Sequence, residues 1–215
     1  MSKEGMLLSY GDTNIHMQDL MILRNNEWLN DRILSFAAEY ITEQMDEKTR
    51  KVTEIISPPI VEMIKMADDA EIVVMLLEQL NLHEKEIVLF MLNDNTNPSL
   101  ANGGSHWTLL VYLKKVDKFI HYDSNHGCTQ SKYFAEMVAS NVEKAVGSVN
   151  WTIEAGSCPK QPNQRDCGIF VIEFVDNIVQ NRGTFGVSKL NGGKVSSRRK
   201  YWADLIEKLS KKKKK

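Results

Sequence analysis

Gln161-Pro162-Asn163-Gln164-Arg165-Asp166-Cys167-Gly168-Ile169-Phe170-Val171-Ile172-Glu173-Phe174-Val175 changes character at one residue. Up to Asp166 the chain is a polar loop rich in Pro, Asn and Gln. Beyond it Val171, Phe174, Val175 and Ile178 recur at helical steps, which predicts a helix from Cys167 that ends before Gly183. A thiol therefore opens a helix, where backbone N–H groups and the helix dipole favour a thiolate. Gly168 removes a side chain beside it and would let a substrate carbonyl approach the backbone. A small apolar residue at the start of a buried helix gives the same pattern, so partners must decide whether the thiol reacts.

A thiolate nucleophile needs a base within hydrogen-bond reach. Of five histidines, His106 lies where a Gly-rich loop enters a strand, a place that often carries catalytic groups on a rigid scaffold. Trp107 to Leu113 and Lys118 to Tyr122 read as a hairpin closed by the four residues 114–117. If Leu113 pairs with Lys118, Thr108 opposes Asp123, and His106 then shares a face with Asp123 on the diagonal. A loop one residue longer or shorter would send the two groups to opposite faces. Gln161, six residues before the thiol, has an amide able to donate to an oxyanion. Each residue alone has a bland counterpart, but the four converge on one reaction.

The rest of the chain frames these elements. The first 25 residues read as turns with one short strand. Helices are predicted over 31–44 with Asn30 or Asp31 as cap, from Ser57-Pro58-Pro59 through Ile64, over 70–79 and over 131–146. Strands are predicted over 86–92 and 149–153, with loop over 93–104. Residues 183–193 read as a flexible connection before a last amphipathic helix carrying Tyr201, Trp202, Leu205, Ile206 and Leu209. No internal repeat interrupts this series, which predicts one domain over 1–210 and a disordered basic tail over 211–215.

Composition narrows the partners. With 27 basic and 28 acidic residues the charge nearly cancels, so no overall field points to nucleic acid or an anionic membrane. No apolar run reaches the length that spans a bilayer, and three cysteines without a secretory signal fit a reducing cytosol or nucleus. Cys128 and Cys158 open no helix and read as structural thiols. No cofactor or metal is expected; His121, Asp123, His126 and Cys128 are ligand types, but their spacing matches no standard zinc pattern.

Gly104-Ser105-His106-Trp107, Tyr122-Asp123-Ser124 and Gln161 to Gly168, in that order, resemble the motifs of the ubiquitin-like-protein-specific cysteine proteases. Trp28-Leu29-Asn30-Asp31 is similar to that family's N-terminal tryptophan motif, and the likeness runs through Ile56-Ser57-Pro58 to Trp202. The resemblance implies a papain-like α+β fold, with a small mixed sheet between helices. It implies Cys167 as nucleophile, His106 as base, Asp123 as its orienting acid, and Gln161 with the Cys167 N–H as oxyanion holder. It also implies that Trp28 and Trp107 close over a Gly-Gly tail, so that remote contacts with the globular modifier position the scissile bond.

Leu92-Asn93-Asp94-Asn95, Gly103-Gly104, Leu109-Leu110-Val111-Tyr112 and Trp202-Ala203-Asp204-Leu205-Ile206 are similar to the small deneddylase branch, which acts on the modifier carried by cullins, more than to the desumoylating branch. Gln164-Arg165 and the loop 95–102 depart from the family pattern at the rim of the site. Of the acids Asp12, Asp31 and Asp94, Asp31 beside Trp28 is the one expected to meet a basic tail residue. The expected enzyme is a monomer of cytoplasm and nucleus, with the lysine run 211–215 and Arg198-Arg199-Lys200 as candidate nuclear signals. A Cys-His-Asp acyltransferase and an inactive modifier-binding module are the rival readings.

Overall fold

The computed structural model describes residues 5–97, 103–126 and 129–212. A five-stranded sheet divides the core. In spatial order it contains β3 (Thr53–Ile56), β4 (Ile87–Asn93), β5 (Trp107–Leu113), β6 (Lys118–Tyr122) and β7 (Thr152–Ala155). The outer pairs are parallel and the inner two antiparallel, which makes the sheet mixed.

β4 and β5 are apolar at nearly every position because both of their faces are covered. Ile87, Leu89, Met91, Trp107, Leu109 and Val111 face one core, which also takes α2 (Asp31–Gln44), α7 (Cys167–Asn181) and α8 (Gly192–Lys212). Val88, Phe90, Leu92, Leu110 and Tyr112 face the other, shared with α4 (Pro58–Lys65), α5 (Ala70–Leu77) and α6 (Thr129–Val146). This is the α+β arrangement expected, a single domain with its sheet packed among helices.

The hairpin register is the expected one. Leu113 pairs with Lys118 and Leu109 with Tyr122, so Thr108 and Asp123 are the next positions along the two strands. Asp117 closes the turn in the left-handed region at φ 46°, and its carboxylate accepts from the Val149 and Asn150 N–H groups. That grip explains a miss. The alternating stretch at 149–153 starts as a turn tied to Asp117, and β7 begins only at Thr152, where parallel pairing with Lys118 starts.

Other elements go beyond the expectation, which gave the first 25 residues one short strand. β1 (Met6–Tyr10) and β2 (Thr13–His16) form a separate hairpin, followed by α1 (Met17–Arg24), whose start is fixed by the Asp19 carboxylate on the His16 N–H at 2.8 Å. A short α3 (Glu47–Val52) leads into β3, too brief for a period to show. Asn30, not Asp31, caps α2 by accepting from the Ile33 N–H at 3.1 Å. Residues 184–189 form a 3₁₀ turn rather than a free connection, and α8 starts at Gly192. α8 also runs two residues into the lysine tail expected to be disordered, through Lys212; residues 213–215 lie outside those described.

Candidate active site

α7 is the central helix, buried from Cys167 through Val175, and Cys167 at its first turn is 1 % exposed. The glycine after it serves packing: a Cβ on Gly168 would stand 2.9 Å from the Leu29 Cβ, so its absence lets the helix start lie against the Trp28-Leu29 segment. The close approach is to protein, where a substrate carbonyl had been expected. Asp166 holds the N-cap position but does not cap. Its carboxylate accepts from Arg199 Nε at 2.7 Å and Asn163 Nδ2 at 2.8 Å, and Arg199 also donates to the Arg165 carbonyl. Turned towards Arg199, Asp166 leaves the first N–H groups of α7 without a side-chain cap, the arrangement that suits an anion.

His106 sits just before β5 and Asp123 just after β6. His106 Nε2 lies 2.7 Å from Asp123 Oδ1. Its other ring nitrogen is left free of Asp123, and Cys167 is close enough to act on the imidazole's proton affinity. Burial alone would lower the His106 pKa, yet the bond to Asp123, the interaction with Cys167 and the charges of both overcome it and raise the group to about 10. Burial likewise pushes Asp123 up, but hydrogen bonds from His106, Ser131 and the Asn125 N–H bring it down to about 2. Ser131 Oγ supplies its bond at 2.8 Å from the first turns of α6.

Gln161 is buried and held at both ends of its amide. Ser124 Oγ donates to Oε1 at 2.7 Å, while Nε2 donates to the Asn163 carbonyl at 2.6 Å. An amide nitrogen has two N–H groups, so one remains for another acceptor.

Trp28, Asp31 and Trp107 line one open cleft of about 620 Å³ with Pro58, Glu62 and Gly104. The two indoles differ. Trp107 is 7 % exposed and donates to the Leu29 carbonyl at 2.8 Å, whereas Trp28 is 52 % exposed and donates to the Gln164 carbonyl at 2.9 Å. Trp28 thereby bridges the cleft to the loop carrying the thiol.

Sequence reading missed several residues of this region. Asp94, named only as a surface acid, accepts from the Ser105 N–H at 2.6 Å and the His106 N–H at 2.9 Å and so holds the backbone beneath the imidazole. Asp94 and Ser131 carry no local signal, because their partners, 8 to 12 residues away, sit on other elements whose placement no periodicity or turn length fixes. Arg199 is 3 % exposed and paired with Asp166, which removes it from the surface signal expected of Arg198-Arg199-Lys200. Among the described residues no group of three or more His, Cys, Asp or Glu side chains stands ready for a metal, and Cys128 lies outside them. Cys158 is buried, and burial with the nearby Asp123 charge raises it to about 11, the behaviour of an inert thiol at neutral pH.

A thiol at a helix start, an imidazole beside it and a carboxylate behind the imidazole are the groups a thiol protease uses. Residues 27–213 match the Ulp1 protease family, C-terminal catalytic domain, and the chain belongs to that family and is a thiol protease. It is 34 % identical to sentrin-specific protease 8 of Homo sapiens over 96 % of this chain and 99 % of that one. It is 32 % identical to NEDD8-specific protease 1 of Arabidopsis thaliana over 80 % of this chain and 74 % of that one. In structure it is similar to the SUMO protease Ulp1, with a TM-score of 0.72 at 19 % identity over 95 % of this chain and 88 % of that one. It is also similar to the Ulp1 protease domain in complex with the yeast SUMO orthologue Smt3, with a TM-score of 0.68 at 20 % identity over 98 % and 90 % of the two chains.

Proposed function

We propose that the protein cleaves after the C-terminal Gly-Gly of a ubiquitin-like modifier and that NEDD8 is that modifier. The observation that carries the reading is the continuous line from Cys167 through His106 to Asp123, beside a cleft walled by Trp28 and Trp107. Cys167 Sγ attacks the carbonyl of the last glycine, and the oxyanion is received by the Cys167 N–H and Gln161 Nε2. His106 takes the proton of the Cys167 thiol, holds it at neutral pH and returns it to the leaving amine. Water, activated by the then neutral imidazole, hydrolyses the thioester. Asp123 keeps the imidazole oriented through both halves.

The two tryptophans enclose the glycine tail, and Asp31 at the same cleft meets a basic residue upstream of it. The choice of NEDD8 over SUMO is supported by identity: the NEDD8-specific relative is 32 % identical, against 19 % for the SUMO protease Ulp1. Precursors and cullin-type conjugates share the same acyl half and are both substrates of one monomer. A nuclear and cytoplasmic distribution rests on the terminal lysines alone, now that Arg199 is committed to Asp166; a tagged protein whose distribution is unchanged without residues 211–215 defeats it.

The test is fluorophore release from the C-termini of NEDD8, a SUMO and ubiquitin by the parent protein and by Cys167→Ala. NEDD8 is expected to be cleaved fastest, with activity abolished in the variant. Faster cleavage of SUMO moves the enzyme to the desumoylating branch. Binding of all three without turnover leaves an inactive modifier-binding module.

A further inference from the structure

A charged side chain that is entirely buried, on a helix of the cleft wall, calls for a reason. Lys65 ends α4 and is 0 % exposed. Burying an ammonium is costly unless each of its N–H groups finds an acceptor. Here two donate to backbone, to the Asn93 carbonyl at 2.7 Å and the Asn95 carbonyl at 2.6 Å, and the charge is paired with Glu62 Oε2 at 2.8 Å, with the Phe134 ring 4.8 Å away.

The two carbonyls flank Asp94, so the ammonium gathers both ends of one turn. The side chains of that turn then reach the strand carrying the histidine. Asn93 Nδ2 and the Asp94 N–H both donate to the His106 carbonyl at 3.1 Å, while Asp94 Oδ1 accepts from the His106 N–H and Oδ2 from Ser105 Oγ. Closure of this clamp needs a glycine opposite: a Cβ on Gly104 would stand 1.7 Å from Asn93 Oδ1 and 2.8 Å from Asp94 Oδ1. We propose that Lys65 is a positioning residue for the proteolytic reaction, which through the turn 93–95 fixes the His106 backbone relative to Cys167 and joins it mechanically to the cleft wall at Glu62. The inference rests on the assignment of His106 as base.

Three side chains acting in series explain why an ammonium stands where a methionine would fill the space. A lysine presents a compact charge with three rotatable donors, which suits two carbonyls and a carboxylate converging from different directions. Loss of these donors lets the turn relax, and a small displacement of a catalytic group is enough to slow the reaction severely.

The experiment uses the whole chain and a modifier carrying a C-terminal fluorophore, with kcat and KM measured from neutral pH to the alkaline limb. Lys65→Met is expected to lower kcat by about 10- to 100-fold while KM changes by less than about threefold. The alkaline limb, set by His106, is expected to move down, since a loosened imidazole loses the partners that raise it to about 10. Lys65→Gln, which keeps two N–H donors for the two carbonyls, recovers most of kcat. A Lys65→Met protein with a lower melting temperature but parent-like kcat and alkaline limb overturns the inference. If that variant does not fold, Asp94→Ala decides it: a fall in kcat with the same shift of the limb supports the clamp, and parent-like kcat overturns it. His106→Ala is run alongside. Parent-like turnover there defeats the catalytic assignment itself, whereas an inactive His106→Ala beside an unimpaired Lys65→Met defeats this inference alone.

Discussion

His106 and His121 are buried to the same degree, 7 % exposed each, and stand near one another at the sheet end, yet their proton affinities are driven in opposite directions. His106, bonded to Asp123 and beside Cys167, is raised to about 10. His121 is lowered to about 4 by burial, reinforced by the neighbouring His106 charge and only partly opposed by Asp123. Its Nε2 is enclosed without a hydrogen-bond partner among the described residues. Burial therefore does not decide what a histidine does; partners within hydrogen-bond reach do.

The sharpest way to break this contrast is to remove the partner. Asp123→Asn keeps the shape but withdraws the charge, and kcat/KM for the modifier substrate is expected to fall by about 10³- to 10⁴-fold. The His106 titration, followed by NMR, should move down from about 10 towards its ordinary value. Retention of the high value would mean that Cys167 alone holds the proton.

A second test acts on the other histidine. Because the folded pKa of His121 lies below its unfolded value, the unfolded chain binds the extra proton between about pH 4 and 6.5, and this group makes stability fall as pH drops through that window. His121→Leu removes both the titration and the unpartnered nitrogen. Thermal unfolding should show it gaining stability over the parent, by about 2 kcal/mol more near pH 5 than at neutral pH. Equal gains at both pH values would locate the cost of His121 in packing alone. His106 has the opposite sign: its folded value is raised, so its contribution is complete below about 6.5 and is lost as pH rises towards 10.

The mildest change sharpens the comparison at Asp123. Ser131→Ala withdraws the bond to Oδ2 while leaving His106 on Oδ1. One lost hydrogen bond to a charged group predicts a fall in kcat of about tenfold. An unchanged kcat would show that Asp123 needs only the imidazole and the Asn125 N–H.

The His106 and Asp123 arrangement was readable from the chain because a four-residue hairpin closure sets the register, and register sets which side chains share a face. Cys167 was readable because a helix start is a local event. The two tryptophans were found as residues but not as environments. That Trp107 is buried against Leu29 while Trp28 lies half in solvent depends on how α7 packs on the segment before α2. The hairpin and helix within the first 25 residues escaped because each element is short and its cap, Asp19, is also held by Arg32 from the next helix.

The sequence by itself placed Cys167 at a helix start and set the register that aligns His106 with Asp123, since helix periodicity and turn length act between residues close along the chain; the α+β class and the roles of these groups came from the resemblance of their motifs to a known family. Only the tertiary structure decided what holds those groups still. Lys65 reaches Asn93 and Asn95, Ser131 reaches Asp123, and Arg199 reaches Asp166 across 33 residues. Such partners meet only after the sheet and helices have packed, and a buried charge looks no different in sequence from a solvated one until its acceptors are in place.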